Sequence, residues 1–277
     1  MLPFTSADRT DSLGIEHAVA CGDVRLVSLV PSLTELLFTL GLGHRLVGRT
    51  TYCIRPAELV RDIPSVGGTK KLRMERLRDL RPTHVIANIE ENWKSDIETL
   101  QQWGIQVVVT YPRAPEDNLP LFRLLGSVFS RASETSKLCS MFEAQYEKLV
   151  RQKSKFEAQK VLYLIWRKPW MSVSRDTYIG KMLELVNWHT PYDDPDNRYP
   201  EVQAGDKALC GVHQYLFSSE PFPFKNKHLR EFSTSFDVPE DNLTYVDGEL
   251  MSWYGSRALH GLAYLEKLAQ KQNRTLS

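Results

Sequence analysis

The sequence predicts an α/β protein of two Rossmann-like lobes, each with a parallel sheet, joined by one long backbone α-helix. Three observations carry this. A strand–turn–helix–strand unit fills residues 25–50. Strand and helix patterns then alternate at βαβ spacing in both halves of the chain. Between the halves, residues 132–157 contain neither Gly nor Pro.

Residues 1–23 read as a polar, weakly structured arm. In the first unit, RLVSLVPSLTELLFTLGLGHRLVGRT, a β run at 26–30 stops at Pro31, an apolar helix runs to Leu40, and Gly41 ends it before a second β run at 46–48. Ser32 is a candidate N-cap, with Glu35 completing a capping box. Strands are expected again at 84–88 and 107–110. Helices are expected at 33–40, 74–80, 97–103 and 116–129, the first three followed by Gly41, Pro82 and Gly104. In the 132–157 segment, Leu138, Met141, Phe142, Tyr146, Leu149, Val150 and Phe156 recur at gaps that mark one helix face, with Ser133 as candidate cap. A helix of that length would span nearly 40 Å, at about 1.5 Å per residue. The second half restarts the theme, with strands at 161–165, 215–218 and 244–246 and helices at 177–186, 225–232 and 258–270. The expected organisation is an arm (1–23), an N-terminal lobe (24–131), a connecting helix (132–158) and a C-terminal lobe (159–277).

Composition narrows the function. The 35 basic residues nearly balance the 34 acidic ones, and no basic stripe with interleaved aromatics occurs, which argues against a nucleic-acid partner. The four cysteines are scattered without a C-x-x-C pair, which speaks against structural zinc. No apolar run reaches the roughly 18 residues of a membrane span. The N-terminus lacks the basic and apolar regions of a secretory signal, so the sequence reads as cytoplasmic, or as periplasmic if it is a mature form.

Ligands of open α/β sheets bind beyond the carboxyl ends of the strands. There the sequence places Pro31 and Ser32; Tyr52; Glu90, Glu91 and Asn92; Trp166, Arg167 and Trp170; Glu220; and Trp253, Tyr254 and Arg257. Four of the six tryptophans fall in such segments, beside Arg, Lys and Glu, a mixture suited to a large flat or amphipathic ligand in a cleft between lobes. Packing of the lobes by those tryptophans is the competing explanation. Gly67-Gly68-Thr69-Lys70-Lys71 lacks the spacing of a phosphate loop and reads as a turn, with its lysines solvated or facing an anionic ligand. His189 with Asp193, Asp194 and Glu201 is either a metal site or, as the Asp/Pro/Asn-rich composition favours, a turn. No G-x-S-x-G elbow or H-E-x-x-H is present.

The segments RLVSLVPSLTELLFTLGLGHRLVG, TYCIRPAE, IPSVGGTKKLRMERLRDLRPTHVIAN, WGIQVVV, VLYLIWRKPWMSV, RYPEV and YLFSSEPFPF resemble the cobalamin/iron-siderophore, helical-backbone class of ABC-transporter substrate-binding proteins over roughly residues 24–270. The resemblance implies a non-enzymatic protein holding a metal-containing or metal-chelating organic ligand, such as a corrinoid, haem or siderophore, for uptake through an ABC permease. It implies cleft-lining roles for Tyr52 and Tyr199, and permease docking by Glu75. The family's second docking carboxylate aligns near Gly205, with Asp206 adjacent. The cleft tryptophan of B12 binders falls at Thr69, beside Lys70 and Lys71, which favours an anionic ligand over a corrinoid. Two rivals use the same cleft: an enzyme with Glu90, Glu91 and Glu220 as acid–base groups, and a binder of bare transition metal.

Overall fold

The computed structural model describes residues 4–276, and side chains as far as residue 272. The chain divides into two compact units. The first holds residues up to Pro112, Asp117–Phe142 and Tyr254–Arg257; the second holds Arg113–Glu116, Glu143–Trp253 and residues from Ala258 onward.

In the first unit the elements are β1 (Leu26–Ser28), α1 (Pro31–Thr39), β2 (Leu46–Arg49), α2 (Ala57–Val60), β3 (Gly67–Gly68), β4 (Lys71–Leu72), α3 (Met74–Asp79), β5 (His84–Asn88), α4 (Lys94–Gln102), β6 (Gln106–Thr110) and α5 (Asn118–Val128). The strands form a parallel sheet ordered β2-β1-β5-β6, with Leu26 opposite Leu46 and His84. Every residue of β1 and β5 is buried. That is why these strands read as unbroken apolar runs rather than alternating ones: helices cover a parallel sheet on both faces.

Helix α6 (Ala132–Gln152) starts in the first unit and ends in the second. It is shorter than the unbroken pattern suggested, about 32 Å at 1.5 Å per residue, because the chain tightens into a 3-10 turn at Lys153–Lys155. Ser133 does not cap it. The first helical bond already runs from the Thr135 amide to the Arg131 carbonyl, 3.0 Å, which leaves Ser133 inside the first turn.

The second unit contains β7 (Gln159–Trp166), β8 (Met171–Ser172), α7 (Tyr178–Glu184), β9 (Trp188–His189), β10 (Gln214–Ser218), α8 (Asn226–Phe236), β11 (Leu243–Val246), α9 (Gly248–Ser252) and α10 (Arg257–Leu276), the last beginning on the edge of the first unit. Its sheet runs β11-β10-β7-β8, with β9 also on β7; β10 pairs in parallel with β7 and β11, and β8 is antiparallel. Its aromatic core gathers Leu162, Leu164, Tyr215, Phe217 and Phe232.

Thr177 sets the start of α7. Its hydroxyl accepts from the Gly180 amide at 3.0 Å and donates to the Ser174 carbonyl at 2.8 Å, in a buried position. Thr177→Ala is expected to cost about 1 kcal/mol in urea unfolding, with Thr177→Ser retaining most of it.

The N-terminal arm is not loose. Among residues 4–23, Asp11 and His17 are buried, and the Ser12 amide donates to the Val109 carbonyl at 2.9 Å. The Asp11 carboxylate accepts from the Val109 amide at 3.1 Å and lies 3.0 Å from His17 Nε2. Strand β6 is the open edge of the first sheet, and an uncovered edge leaves its polar backbone groups unpaired. The arm supplies those partners, so polar residues are fixed here by hydrogen bonding rather than by apolar burial.

Candidate ligand-binding surfaces

In the first unit, β1 leads directly into α1. Pro31 occupies the first helical position, so the cap is Val30, not Ser32, and no side chain caps the helix. The expected capping box is absent for a physical reason. Proline fits the first turn because it has no N–H to satisfy, which starts the helix ahead of Ser32. The Ser32 hydroxyl is buried without a partner. Glu35 instead receives both Arg257 Nε and Nη2, each at 2.7 Å. Thr34 is the anchor of this turn, its hydroxyl donating to the Val30 carbonyl at 3.0 Å and lying 2.8 Å from Ser28 Oγ.

Tyr52 follows β2 and is 60% exposed. A side chain at Gly68 would meet its ring at 3.3 Å, so glycine at the start of the hairpin lets the tyrosine lie against the backbone. The Gly67–Lys71 segment is the hairpin β3–β4, with Thr69-Lys70 at its tip. The loop after β5 is tied to that tip. Asn92, 3% exposed, donates to the Thr69 carbonyl at 3.1 Å and accepts from the Asn88 amide at 2.9 Å. Trp93 Nε1 donates to the Lys70 carbonyl at 2.9 Å, and Lys70 Nζ lies 4.6 Å from the centre of the Trp93 ring while donating to the Glu90 carbonyl. Burial pushes the Glu91 carboxyl up, with the Lys70 charge pulling the other way. Thus Tyr52, Lys70, Glu90, Glu91 and Asn92 come together around one hairpin, and Asn92 is committed to holding it.

In the second unit, Trp166 stands 41% exposed at the end of β7, edge-on to Phe222 at 5.7 Å. Arg167 is held by Glu231, with Nε at 2.9 Å and Nη2 at 2.6 Å. Trp170 is half-buried within the phenylalanine cluster, 5.1 Å from Phe232 and stacked at 5.9 Å on Phe224. Tyr199 is 40% exposed, with the Arg198 guanidinium 5.7 Å from its ring. Glu220 accepts from Trp253 Nε1 at 2.6 Å and Ser252 Oγ at 3.1 Å, binding the loop after β10 to the C-terminal end of α9. Burial pushes the Glu220 carboxyl up, against these two hydrogen bonds. Trp253 is buried.

Tyr254 and Arg257, grouped by sequence with the second half, belong to the first unit. Glu75 is exposed in the first turn of α3. Asp206 is half-buried and caps a 3-10 turn, accepting from the Ala208 amide at 2.8 Å and from the Tyr192 hydroxyl at 3.0 Å.

His189, Asp193, Asp194 and Glu201 do not assemble into a metal site. Asp193 pairs with Arg175 at 3.4 Å, and Asp194 organises a turn through the Asp196 amide at 3.0 Å. Among the described residues no group of three or more His, Cys, Asp or Glu is placed to hold a metal ion, and no helix is long and apolar enough to cross a membrane. The Cys53 thiol is buried, which pushes its pKa up and leaves it a packing group. Sequence reasoning passed over Trp93 as a site residue; its signal was a tryptophan directly after the Glu-Glu-Asn strand end.

The sequence pattern of the periplasmic binding protein family matches residues 26–203. The chain is 22% identical over 254 residues to the vitamin B12-binding protein of Vibrio cholerae, covering 90% of this chain and 91% of that one. It superimposes on the periplasmic vitamin B12 binding protein BtuF of Vibrio cholerae with a TM-score of 0.76 at 19% identity, over 89% of this chain and 98% of that one. For the periplasmic heme binding protein HutB of Vibrio cholerae the TM-score is 0.72 at 21% identity, over 89% and 99%. With its two α/β units, parallel sheets and long shared helix, the chain belongs to the periplasmic binding protein family.

Proposed function

We propose that this chain is a non-enzymatic binding protein for a metal-containing or metal-chelating organic ligand, serving ABC-type uptake. The observation that carries the reading is the exposure of large aromatic faces at the carboxyl ends of parallel strands: Tyr52 and Trp93 in the first unit, Trp166 in the second. Exposed aromatic rings forgo burial worth about 1.5–3 kcal/mol each, a cost that a ligand face would offset. Lys70, whose ammonium lies over the Trp93 ring, suits carboxylates. Relatives named for vitamin B12 and heme support a chelated metal as the cargo. Glu220, held by two donors at the end of α9, serves as a structural tie rather than an acid–base group.

The test is ligand-induced stabilisation. A ligand present at 100 times its Kd adds about 2.7 kcal/mol to folding. Haemin, cyanocobalamin and a ferric siderophore, each added to purified protein, are expected to include at least one that raises the melting temperature by several degrees. Trp166→Ala is expected to lower that shift. No shift with any of the three would sink the reading.

A further inference from the structure

We propose that the first unit carries a second site, for a phosphate-type dianion, at the end of its sheet opposite the exposed aromatics: the guanidinium groups of Arg45 and Arg131 take the oxyanion in a small cavity against the N-terminal arm. The site is independent of the binding function proposed above.

The cavity lies where three connections meet. Cys21 and Val24 come from the arm as it enters β1, Leu42 and Arg45 from the link between α1 and β2, and Phe129 and Arg131 from the corner between α5 and α6. All belong to the first unit. The paired strands β1 and β2 run parallel, so their amino ends lie together here, and the loops bearing Tyr52 and Trp93 leave from the carboxyl ends. The walls are fixed. The Ala20 amide donates to the Val128 carbonyl at 2.8 Å, and the Arg131 amide to the Gly126 carbonyl at 2.7 Å. Phe129 meets the His84 ring edge-on at 5.3 Å. The volume is about 130 Å³. That falls below the roughly 300–1,000 Å³ of pockets for organic ligands, and well above the roughly 10–15 Å³ that one water needs.

Two positive charges line this space, and their hydrogen-bonding capacity is not spent. Arg131 Nε is buried without a partner. Arg131 Nη1 lies 3.8 Å from Glu134 Oε1, beyond hydrogen-bond length. Arg45 gives a single hydrogen bond, from Nη1 to Asp23 at 3.2 Å. A guanidinium offers five N–H donors in a rigid fork that matches phosphate, and neither arginine uses its fork on these carboxylates. The Asp23 and Glu134 side chains are 81% and 40% exposed, and ion pairs so open to water hold little energy. A buried N–H left unpaired is destabilising. A water would satisfy that one donor and leave the charges unanswered. A dianion with four oxygens satisfies the donor and both charges through forked contacts. Once occupied, the site would tie the arm to the α5–α6 corner.

Cys21 supplies the reporter, since its thiol is exposed and the residue lines the cavity. Cys53 and Cys139 are buried, and Cys210, exposed in the second unit, is removed by Cys210→Ser. Alkylation of Cys21 by the uncharged reagent N-ethylmaleimide is followed by mass spectrometry at about pH 8, where phosphate is a dianion. Phosphate is expected to slow the reaction about fivefold at the top of a titration that follows one-site occupancy. Sodium chloride of equal ionic strength should leave it unchanged. Phosphate should also raise the melting temperature with the logarithm of its concentration. Arg45→Met and Arg131→Met, each checked as folded by circular dichroism, should abolish both effects. Where methionine unfolds the chain, Arg→Lys at the same position keeps the charge, gives up the fork and should lose most of the protection. Glycerol 3-phosphate distinguishes the sources: protection equal to that by inorganic phosphate assigns a phosphate monoester, and protection by inorganic phosphate alone assigns the free ion. Equal slowing by phosphate and chloride, or full protection surviving in either arginine variant, overturns the proposal and leaves the ligand-binding reading untouched.

Discussion

Asp11→Ala is expected to lower the stability of the first unit by about 3 kcal/mol. The Asp11 side chain is fully buried and that of His17 nearly so. Its two oxygens accept from the Leu13, Ile15 and Val109 amides and meet His17 Nε2, all between 2.9 and 3.1 Å. Alanine would strand the Val109 amide and the His17 ring without an acceptor, at about 1–3 kcal/mol each. The pH dependence gives an independent signature. Burial alone would raise the Asp11 pKa, but the hydrogen bonds from His17, Val109, Ile15 and Leu13 together outweigh it and hold the carboxyl below its ordinary 3.8. A carboxyl depressed in the folded state stabilises above its unfolded pKa and loses that contribution as pH falls through the folded one. The gap between wild type and Asp11→Ala in urea unfolding should therefore shrink as pH falls below about 3.8. A gap unchanged as pH falls well below about 3.8 would rule out the carboxylate as the anchor.

Trp170→Ala should cost the second unit about 3–5 kcal/mol, the range for removing a large aromatic from a packed cluster. The indole touches Phe217, Phe224, Phe232 and Phe236, with ring centres between 5.1 and 6.5 Å. Its backbone carbonyl also receives the Val202 amide at 2.8 Å, though alanine would keep that bond. The substitution separates two roles that the sequence left together. If Trp170 serves mainly the ligand, its loss would reduce ligand-induced stabilisation and leave the unliganded melting temperature nearly unchanged. The four phenylalanine contacts predict the reverse, a large fall in the unliganded melt. Trp166, with one ring contact and a face open to solvent, is the better residue for probing binding alone.

How much was legible in the sequence depended on the kind of force that shaped each element. Strands β1, β5 and β10 were plain because burial on both faces leaves an apolar run. Strands β8 and β9 were invisible, since two residues carry no period. The start of α1 was misjudged because a good cap residue, Ser32, lies one position beyond a proline that begins the helix itself. The arm reads as weakly structured because its fixed residues are polar: an Asp and a His six positions apart reveal nothing until β6 offers its edge. At the site, strand ends pointed to Tyr52, Glu90 and Glu91, and the Gly67–Lys71 turn offered Lys70 to solvent or to an anionic ligand. The pairing of Lys70 with Trp93 depends on two loops meeting 23 residues apart, and the placement of Arg257 on Glu35 on a contact across 222 residues. No local pattern encodes such meetings.

The residence of Tyr254–Arg257 in the first unit has a practical meaning for anyone dissecting this molecule. Its two halves are not severable by cutting the chain at the long helix. A fragment ending at residue 142 would keep Glu35 but lose the guanidinium that neutralises it. It would also keep the Asn118 amide oxygen but lose the Gly255 N–H that occupies it at 2.6 Å. The late quartet works as a keystone: translated after nearly everything else, it completes a structure whose other parts were made first.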